Sequence, residues 1–448
     1  MIQQTDLAQT PLQNDRREIF GWAMYDWANS AFSATVVTVF LGPYLTNLAK
    51  AVADSDGFIY LFALPIKYDS FFAYCTSLSV VLQVLFLPLL GAIADYSHLR
   101  KFFLQLFCTV GALATMFFFF LTTGLHWLGA LLYILANLAF GASIVFYNAY
   151  LPDIATPDQR DSVSSFGWGM GYLGGGLLLL LNLLIFTFRD SLGLSTDLAV
   201  RLSLASAGAW WLLFAQITFV RLRSRYARRA LPQGETYFGI AIKQLAHTLR
   251  EIRALPHTLT FLLAYLFYND GVQTVIALAS VFGAEELRLE TSTLIQVILM
   301  VQFLAFVGAI AFGRLAGWIG AKMSIVITLV VWSAVTIYAY RFLQTELQFW
   351  LMAAVVAVVL GGSQALSRSL FSQMIPAGRE AEFFSFYEIS ERGTSWIGFL
   401  VFGLANQLFG GLRFGILSLI ALFLIGLVIL LRVNVQRAMQ DANPTPTT

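Results

Sequence analysis

The chain has 448 residues, of which 58% are A, V, I, L, M, F, W, Y or C and only 12% are charged. A soluble domain carries about 45–50% apolar and roughly 25% charged residues, so this composition excludes a soluble enzyme or a nucleic-acid binder. Lys and Arg number 27 against 25 Asp and Glu, a net charge of +2; that balance implies no anionic partner and leaves only the placement of charge informative.

In chain order, the polar first 19 residues, with Arg16 and Arg17 before the first apolar run, read as a cytoplasmic tail. Apolar runs follow at 20–48, 71–94, 102–123, 128–150, 163–188 and 202–220, here spans 1 to 6. A second set lies at 259–282, 294–312, 323–340, 349–367, 383–409 and 414–431, spans 7 to 12. About 20 apolar residues cross a hydrocarbon core of roughly 30 Å. The expected fold class is therefore an all-α polytopic membrane protein with twelve transmembrane helices. It divides into an N-terminal bundle over 20–220, a basic linker over 221–256, a C-terminal bundle over 257–431 and a disordered tail over 432–448.

Lys and Arg are held on the cytoplasmic side of membrane proteins. With the N-terminus inside, the inner segments hold nineteen basic residues and the outer loops seven. Eight of the nineteen, including Arg221, Arg223 and Lys243, fall in the linker. Both termini are thus expected in the cytoplasm, with the chain in a cell membrane. Cys75 and Cys108 lie inside apolar runs near opposite ends of neighbouring spans and read as apolar fillers, not a disulfide. His126, in a short external loop, reads as a solvated surface residue.

The chain also repeats itself. Gly91, Ala92, Ile93, Ala94 and Asp95, then Arg100 and Lys101, follow span 2; Gly313, Gly317 and Lys322 follow span 8. Gly91 pairs with Gly313 and Arg100 with Lys322, while Pro152 and Pro376 hold similar places after spans 4 and 10. Two six-helix pseudo-repeats joined by a basic loop point to a transporter built of parallel repeats.

Gly91-x-x-x-Asp95 followed by Arg100 and Lys101 resembles the signature loop of the major facilitator superfamily. Four further stretches narrow the resemblance: 25–32 (YDWANSAF), 147–152 (YNAYLP), 268–271 (YNDG) and 365–370 (ALSRSL). With 171–175 (GYLGG) they are similar to the vacuole-effluxer branch, whose fungal members are linked to amino-acid efflux. The resemblance implies the two-bundle fold and transport of a solute. In the signature loop it implies that Gly91 permits close packing, Asp95 caps or pairs at a helix end, and the basic residues hold the loop in the cytoplasm. Gly317 stands where the second signature loop would carry Asp.

Charged side chains within spans are costly and mark function; five are assigned there, Asp26, Asp270, Glu388, Glu391 and Arg392. At 100° per residue, Asp26 shares a stripe with Trp22, Asn29, Ser30 and Ser33, which would line a cavity mouth; the alternative is an Asp reaching back to interfacial water. Asp270, about a dozen residues into span 7, lies near the midplane in an arc with Tyr265, Asn269 and Gln273, and Gly271 would ease local unwinding there. Either it binds a proton or the solute, or it is a buried Asp hydrogen-bonded by a neighbouring span. On span 11, Ser385, Glu388, Glu391, Arg392 and Ser395 form a third stripe; Glu388 and Arg392 are i, i+4 partners. They form either an intrahelical pair or a site where Arg392 reads a solute carboxylate and a Glu carries a proton. Arg368, at the end of span 10, is either a basic anchor or half of an ion-pair gate with an acidic loop residue such as Asp153. Glycines 167, 169, 171, 174, 175 and 176 would bring span 5 close to its neighbours.

The expected protein is a secondary transporter for a small polar solute, amino acids first by resemblance, with protons as a coupling ion. It is expected as a monomer in the lipid bilayer, with no nucleic-acid partner, no metal site and no cofactor. Two alternatives stay open: a multidrug or sugar–proton antiporter, and a non-transporting receptor or scaffold. No nucleophile–base pair or metal-ligand spacing suggests an enzyme.

Overall fold

The computed structural model describes residues 13–68, 71–95, 99–224, 239, 243, 255–392, 396–409 and 411–442. Among the described residues, eleven helices are long and apolar enough to cross a membrane. In the stretch expected as span 11, the described residues are helical over Glu380–Arg392 and Trp396–Phe409, and residues 393–395 lie outside the described residues. The Asp270 carboxylate accepts the Gly398 N–H of that stretch at 2.7 Å.

Span 1 runs from Arg16 to Lys50, but its middle, Phe32–Phe40, is π-helical. The Thr38 hydroxyl donates to the carbonyl of Ser33, five residues back, matching the i→i+5 spacing of such a segment. That spacing rotates everything beyond residue 31 from the α-helical expectation. Trp22, Asp26 and Asn29 are buried as a stripe should be, whereas Ser33 is exposed.

Two strands, β1 (Phe58–Leu61) and β2 (Leu64–Lys67), pair antiparallel between spans 1 and 2. Asp54 starts this hairpin: its carboxylate accepts the N–H groups of Asp56 and Phe58 and the Tyr60 hydroxyl. The Tyr60 hydrogen bond holds that carboxyl below its ordinary range. Its stabilisation is therefore full above the unfolded carboxylate pKa and is lost as pH falls through the lowered native value. Asp54→Ala is expected to remove hydrogen-exchange protection from β1 and β2 at neutral pH while leaving the spans protected. Unchanged protection would show that strand pairing alone holds the hairpin.

The expected disordered tail contains a short helix, Val435–Ala442. His126 is also not solvated. It is buried at the start of span 4 and packs edge-on against Phe71. Both cysteines are free and buried. Linker residues 225–238, 240–242 and 244–254 lie outside the described residues.

The two bundles are pseudo-equivalent down to their helix ends. Lys101 Nζ donates to the carbonyl of Leu222, the C-cap of span 6, and Lys322 Nζ donates to that of Val433, the C-cap of span 12. Lys101, not Arg100, is thus the counterpart of Lys322; span 3 begins at Arg100 and span 9 at Ala321, one residue before each lysine. Free carbonyls at a helix C-terminus attract a cation, and this need is local to each bundle.

Small residues set how the spans meet. Span 5 packs on span 1 and, across the bundle boundary, on span 8; span 2 packs on Glu380–Arg392 of span 11. A Cβ on Gly169 or Gly176 would press on Phe306 or Gln302 of span 8, and one on Gly171 on Ser30 of span 1. Large apolar side chains such as Leu85, Leu213 and Leu351 are left exposed on the outer faces, as lipid-facing helices require.

Candidate functional site

The bundles touch on the side where the first and last described residues, Gln13 and Ala442, lie, here the termini face. Two layers of polar contacts close the boundary there.

The outermost layer is built from the signature loop. Gly91 lies against the backbone of Ala381, where a Cβ would come within 2.6 Å of the carbonyl oxygen. This approach lets Asp95 accept the N–H groups of Ala381 and Glu382, at 3.2 and 2.9 Å, in the first turn of Glu380–Arg392, where backbone donors are free and the helix dipole favours a carboxylate. Arg100 then pairs with Asp95, with Asp153 and, across the boundary, with Glu380, at 2.9 to 3.1 Å. Arg100 does not simply anchor a loop in water; it is buried and holds three carboxylates. In the second signature loop Gly313, the counterpart of Gly91, lies against Ser165 of span 5, where a Cβ would come within 2.5 Å of the hydroxyl oxygen, while Gly317 has open space where a Cβ would stand.

The second layer lies deeper. Arg368 is 2% exposed, which rules out a surface anchor, and its ion-pair partner is Asp26 at 3.0 Å, not Asp153. Its Nε donates to the Ser164 hydroxyl and its Nη2 to the Ser164 carbonyl. The guanidinium also lies over the rings of Trp22, Trp168 and Tyr147, with centroids 4.8 to 5.6 Å away, a stacking arrangement that suits Arg better than Lys. The Tyr147 hydroxyl donates to the same Asp26 oxygen at 2.7 Å, and Asn148 Nδ2 donates to Glu388 at 3.1 Å. Gly167 makes room for this cluster, because a Cβ there would reach Trp22, Asp26 and Arg368. Asp26 is therefore not a carboxylate reaching back to interfacial water. One cation of the C-terminal bundle is held wholly among groups of the N-terminal bundle.

The C-terminal bundle supplies most of the remaining candidates. Span 7 continues as a helix from Pro256 to Glu285; no unwinding occurs at Gly271, which instead packs against Phe423 and Leu422 of span 12. Asp270 is buried, with one oxygen on Gly398 and Oδ1 without a partner. Asn269 Nδ2 donates to the carbonyl of Glu391, and its Oδ1 accepts from Gln364 of span 10. Tyr265 stacks on Tyr387 at 4.4 Å. Gln273 is half-buried and takes no part in these bonds. Glu388 is buried on Asn148, whereas the side chain of Arg392 and all of Ser395 lie outside the described residues. The structure thus joins Asn269 to Glu391 directly, and Asp26 to Glu388 through Tyr147 and its neighbour Asn148; it does not join Asp270 to either Glu.

The sequence expectation placed Trp22 beside Asp26 but missed Arg368 as the partner of Asp26, and missed Ser164, Trp168 and Gln364. A signal was available. Asp26, Tyr147, Asn148, Tyr268, Asn269, Asp270, Ser367 and Arg368 all belong to the four stretches that carried the resemblance, and Tyr268 and Ser367 share a 2.6 Å hydrogen bond. Those stretches converge on this boundary.

Residues 14–443 match the family described as vacuole effluxer Atg22 like. The chain is 32% identical to an uncharacterised MFS-type transporter, YxiO, of Bacillus subtilis, over 91% of this chain and 93% of that one. It is 25% identical to autophagy-related protein 22-1 of Penicillium rubens, covering 95% and 91%. Among solved structures, it is similar to the proton:xylose symporter XylE of the major facilitator superfamily, with a TM-score of 0.70 at 12% identity, covering 92% and 94%. The human organic anion transporter MFSD10 gives a TM-score of 0.68 at 14% identity, covering 94% and 100%.

Proposed function

The chain belongs to the Atg22-like vacuole effluxer family of the major facilitator superfamily, and on that premise we propose that it exports a small polar solute, amino acids first, by alternating access. It is an MFS-type transporter and not an enzyme. In this reading it works as a monomer in a cell membrane with the termini face toward the cytoplasm, so the described conformation is closed on the cytoplasmic side.

The observation that carries the reading is the buried pair Asp26–Arg368 between the bundles. A buried ion pair is often no better for stability than packed apolar residues, so a static scaffold gains little from one. A carrier that must part and rejoin its halves gains a bond with a defined geometry, re-formed at each cycle. Arg100 with Glu380 and Asn148 with Glu388 repeat that logic on either side of it.

Proton coupling belongs to the same proposal and is placed on Asp270, whose free Oδ1 is buried without a hydrogen-bond partner. Asp270→Asn keeps an acceptor for the Gly398 N–H and removes the titrating group. Expected in proteoliposomes is that pH-gradient-driven flux falls to the level of passive exchange, with exchange itself retained. Full gradient-driven flux in the variant would remove Asp270 from the mechanism.

A further inference from the structure

The two bundles are built alike at the termini face but finished differently. Spans 6 and 12 end at Arg221 and Arg432, and the next residues, Leu222 and Val433, turn their carbonyls to Lys101 and Lys322. In the N-terminal bundle the basic side chains at this end all have partners. The Arg221 guanidinium lies over the Phe20 ring, 4.9 Å from its centroid, and Arg223 pairs with Asp15. The buried Glu18 carboxylate accepts the Arg223 N–H and acts on Lys101 through space.

The same position in the C-terminal bundle is open. Arg432 is exposed, and its guanidinium forms no ion pair or hydrogen bond with a described residue. An ammonium has three N–H donors; Lys322 gives two of them to the carbonyls of Leu431 and Val433 and, among the described residues, pairs with no carboxylate. Both side chains line a groove of about 470 Å³ together with the turn Val433–Gln436. The helix Val435–Ala442 starts in that turn, and Asn434 Oδ1 accepts the Arg437 N–H. The N–H groups of Val435 and Gln436 have no acceptor within the helix. The groove therefore holds two cations and two backbone donors, the set that an anionic oxygen cluster such as a phosphate requires.

Its surroundings choose between a free anion and a lipid. Trp318, in the last turn of span 8, is 84% exposed, and Ile319, Met323 and Leu431 are exposed around Lys322. An exposed Trp at the end of a span marks the level of the headgroups, and the apolar side chains continue the lipid-facing surface of spans 8, 9 and 12. A basic groove at that level, rimmed by hydrocarbon-facing residues, suits a molecule with an anionic head and apolar chains.

We propose that this groove binds the headgroup phosphate of an anionic phospholipid, whose acyl chains lie against Met323 and Leu431. A phosphatidylcholine carries the same phosphate but brings its own cation to two others, so it binds more weakly. The proposal concerns a lipid at the edge of the C-terminal bundle and does not depend on which solute the protein carries.

The test is native mass spectrometry of the full chain in detergent, titrated with phosphatidylglycerol, phosphatidylcholine or inorganic phosphate. Expected is phosphatidylglycerol binding at least about fivefold tighter than phosphatidylcholine, the factor that roughly one basic residue contributes at a membrane surface. Arg432→Gln removes a guanidinium that has no partner among the described residues, and is expected to weaken phosphatidylglycerol about fivefold while sparing phosphatidylcholine. Gln436→Glu puts a carboxylate into the groove without touching either cation and is expected to weaken phosphatidylglycerol at least as much. Arg221→Gln, the equivalent change in the N-terminal bundle, is expected to alter neither lipid. Equal affinity for the two lipids would overturn the proposal, as would unchanged phosphatidylglycerol affinity in both groove variants or the same loss in Arg221→Gln. Inorganic phosphate that displaces phosphatidylglycerol at a comparable concentration would assign the groove to a free anion and overturn the lipid.

Discussion

Arg368→Met is expected to abolish transport, with flux in proteoliposomes falling at least about a hundredfold, and to lower the melting temperature clearly. The substitution strands Asp26 as a buried carboxylate with only Tyr147 to solvate it, and removing one partner of a buried pair costs roughly 3–5 kcal/mol. It also frees the aromatic faces of Trp22, Trp168 and Tyr147 on which the guanidinium lies. The double variant Asp26→Leu with Arg368→Met removes both charges. It is expected to recover most of the melting temperature without recovering flux, because the bond that recloses the bundles is gone. Wild-type flux in the single variant would show that the pair is incidental to the cycle. A double variant as unstable as the single one would show that the loss came from packing and not from a stranded charge.

Gly91→Ala is expected to be nearly as severe although it adds one methyl group. The added carbon would meet the Ala381 carbonyl oxygen at 2.6 Å and the carbonyl carbon at 2.9 Å. These are backbone atoms, which cannot swing aside, and overpacking of this kind costs about 1–3 kcal/mol. Separating the helices also draws Asp95 away from the N–H groups of Ala381 and Glu382, so closure loses its outermost layer. The check is thiol labelling at Ala365→Cys, which sits buried behind that layer, in a background with Cys75 and Cys108 replaced by Ser. A membrane-impermeant reagent applied from the termini face is expected to label it more than about tenfold faster when Gly91 is Ala, with flux correspondingly reduced. An unchanged labelling rate would mean that the signature loop does not control closure.

What could be read beforehand, and what could not, follows from the range of each interaction. Asp26, Asp270, Glu388 and Glu391 stood out because a carboxylate in an apolar run is conspicuous within a window of 20 residues. Arg368 did not, because it sits five residues before the end of its helix, where a basic residue looks like a membrane anchor. Asp95, Arg100 and Asp153 were likewise placed in or beside cytoplasmic loops, yet they are buried between elements together with Glu380. The contact of Asp270 with the Gly398 N–H escaped notice because the two are 128 residues apart. The one-residue slip in the repeat, Arg100 for Lys101, had a similar cause: both are basic, and only the Leu222 carbonyl distinguishes them.

By itself, the sequence determined that this chain lives in a bilayer, roughly where it crosses, and that its two halves are alike. Those properties are local, since each crossing must bury its own apolar side chains and satisfy its own backbone within the hydrocarbon. Which charges meet was decided only by the tertiary structure. Asp26 and Arg368 are 342 residues apart, and their contact depends on Gly167 leaving room and on the packing of span 5 against spans 1 and 8. A buried charge is expensive wherever it lies, so composition can flag it. Its partner is chosen by the few ångströms between helix faces, which small residues set and which no single stretch of sequence contains.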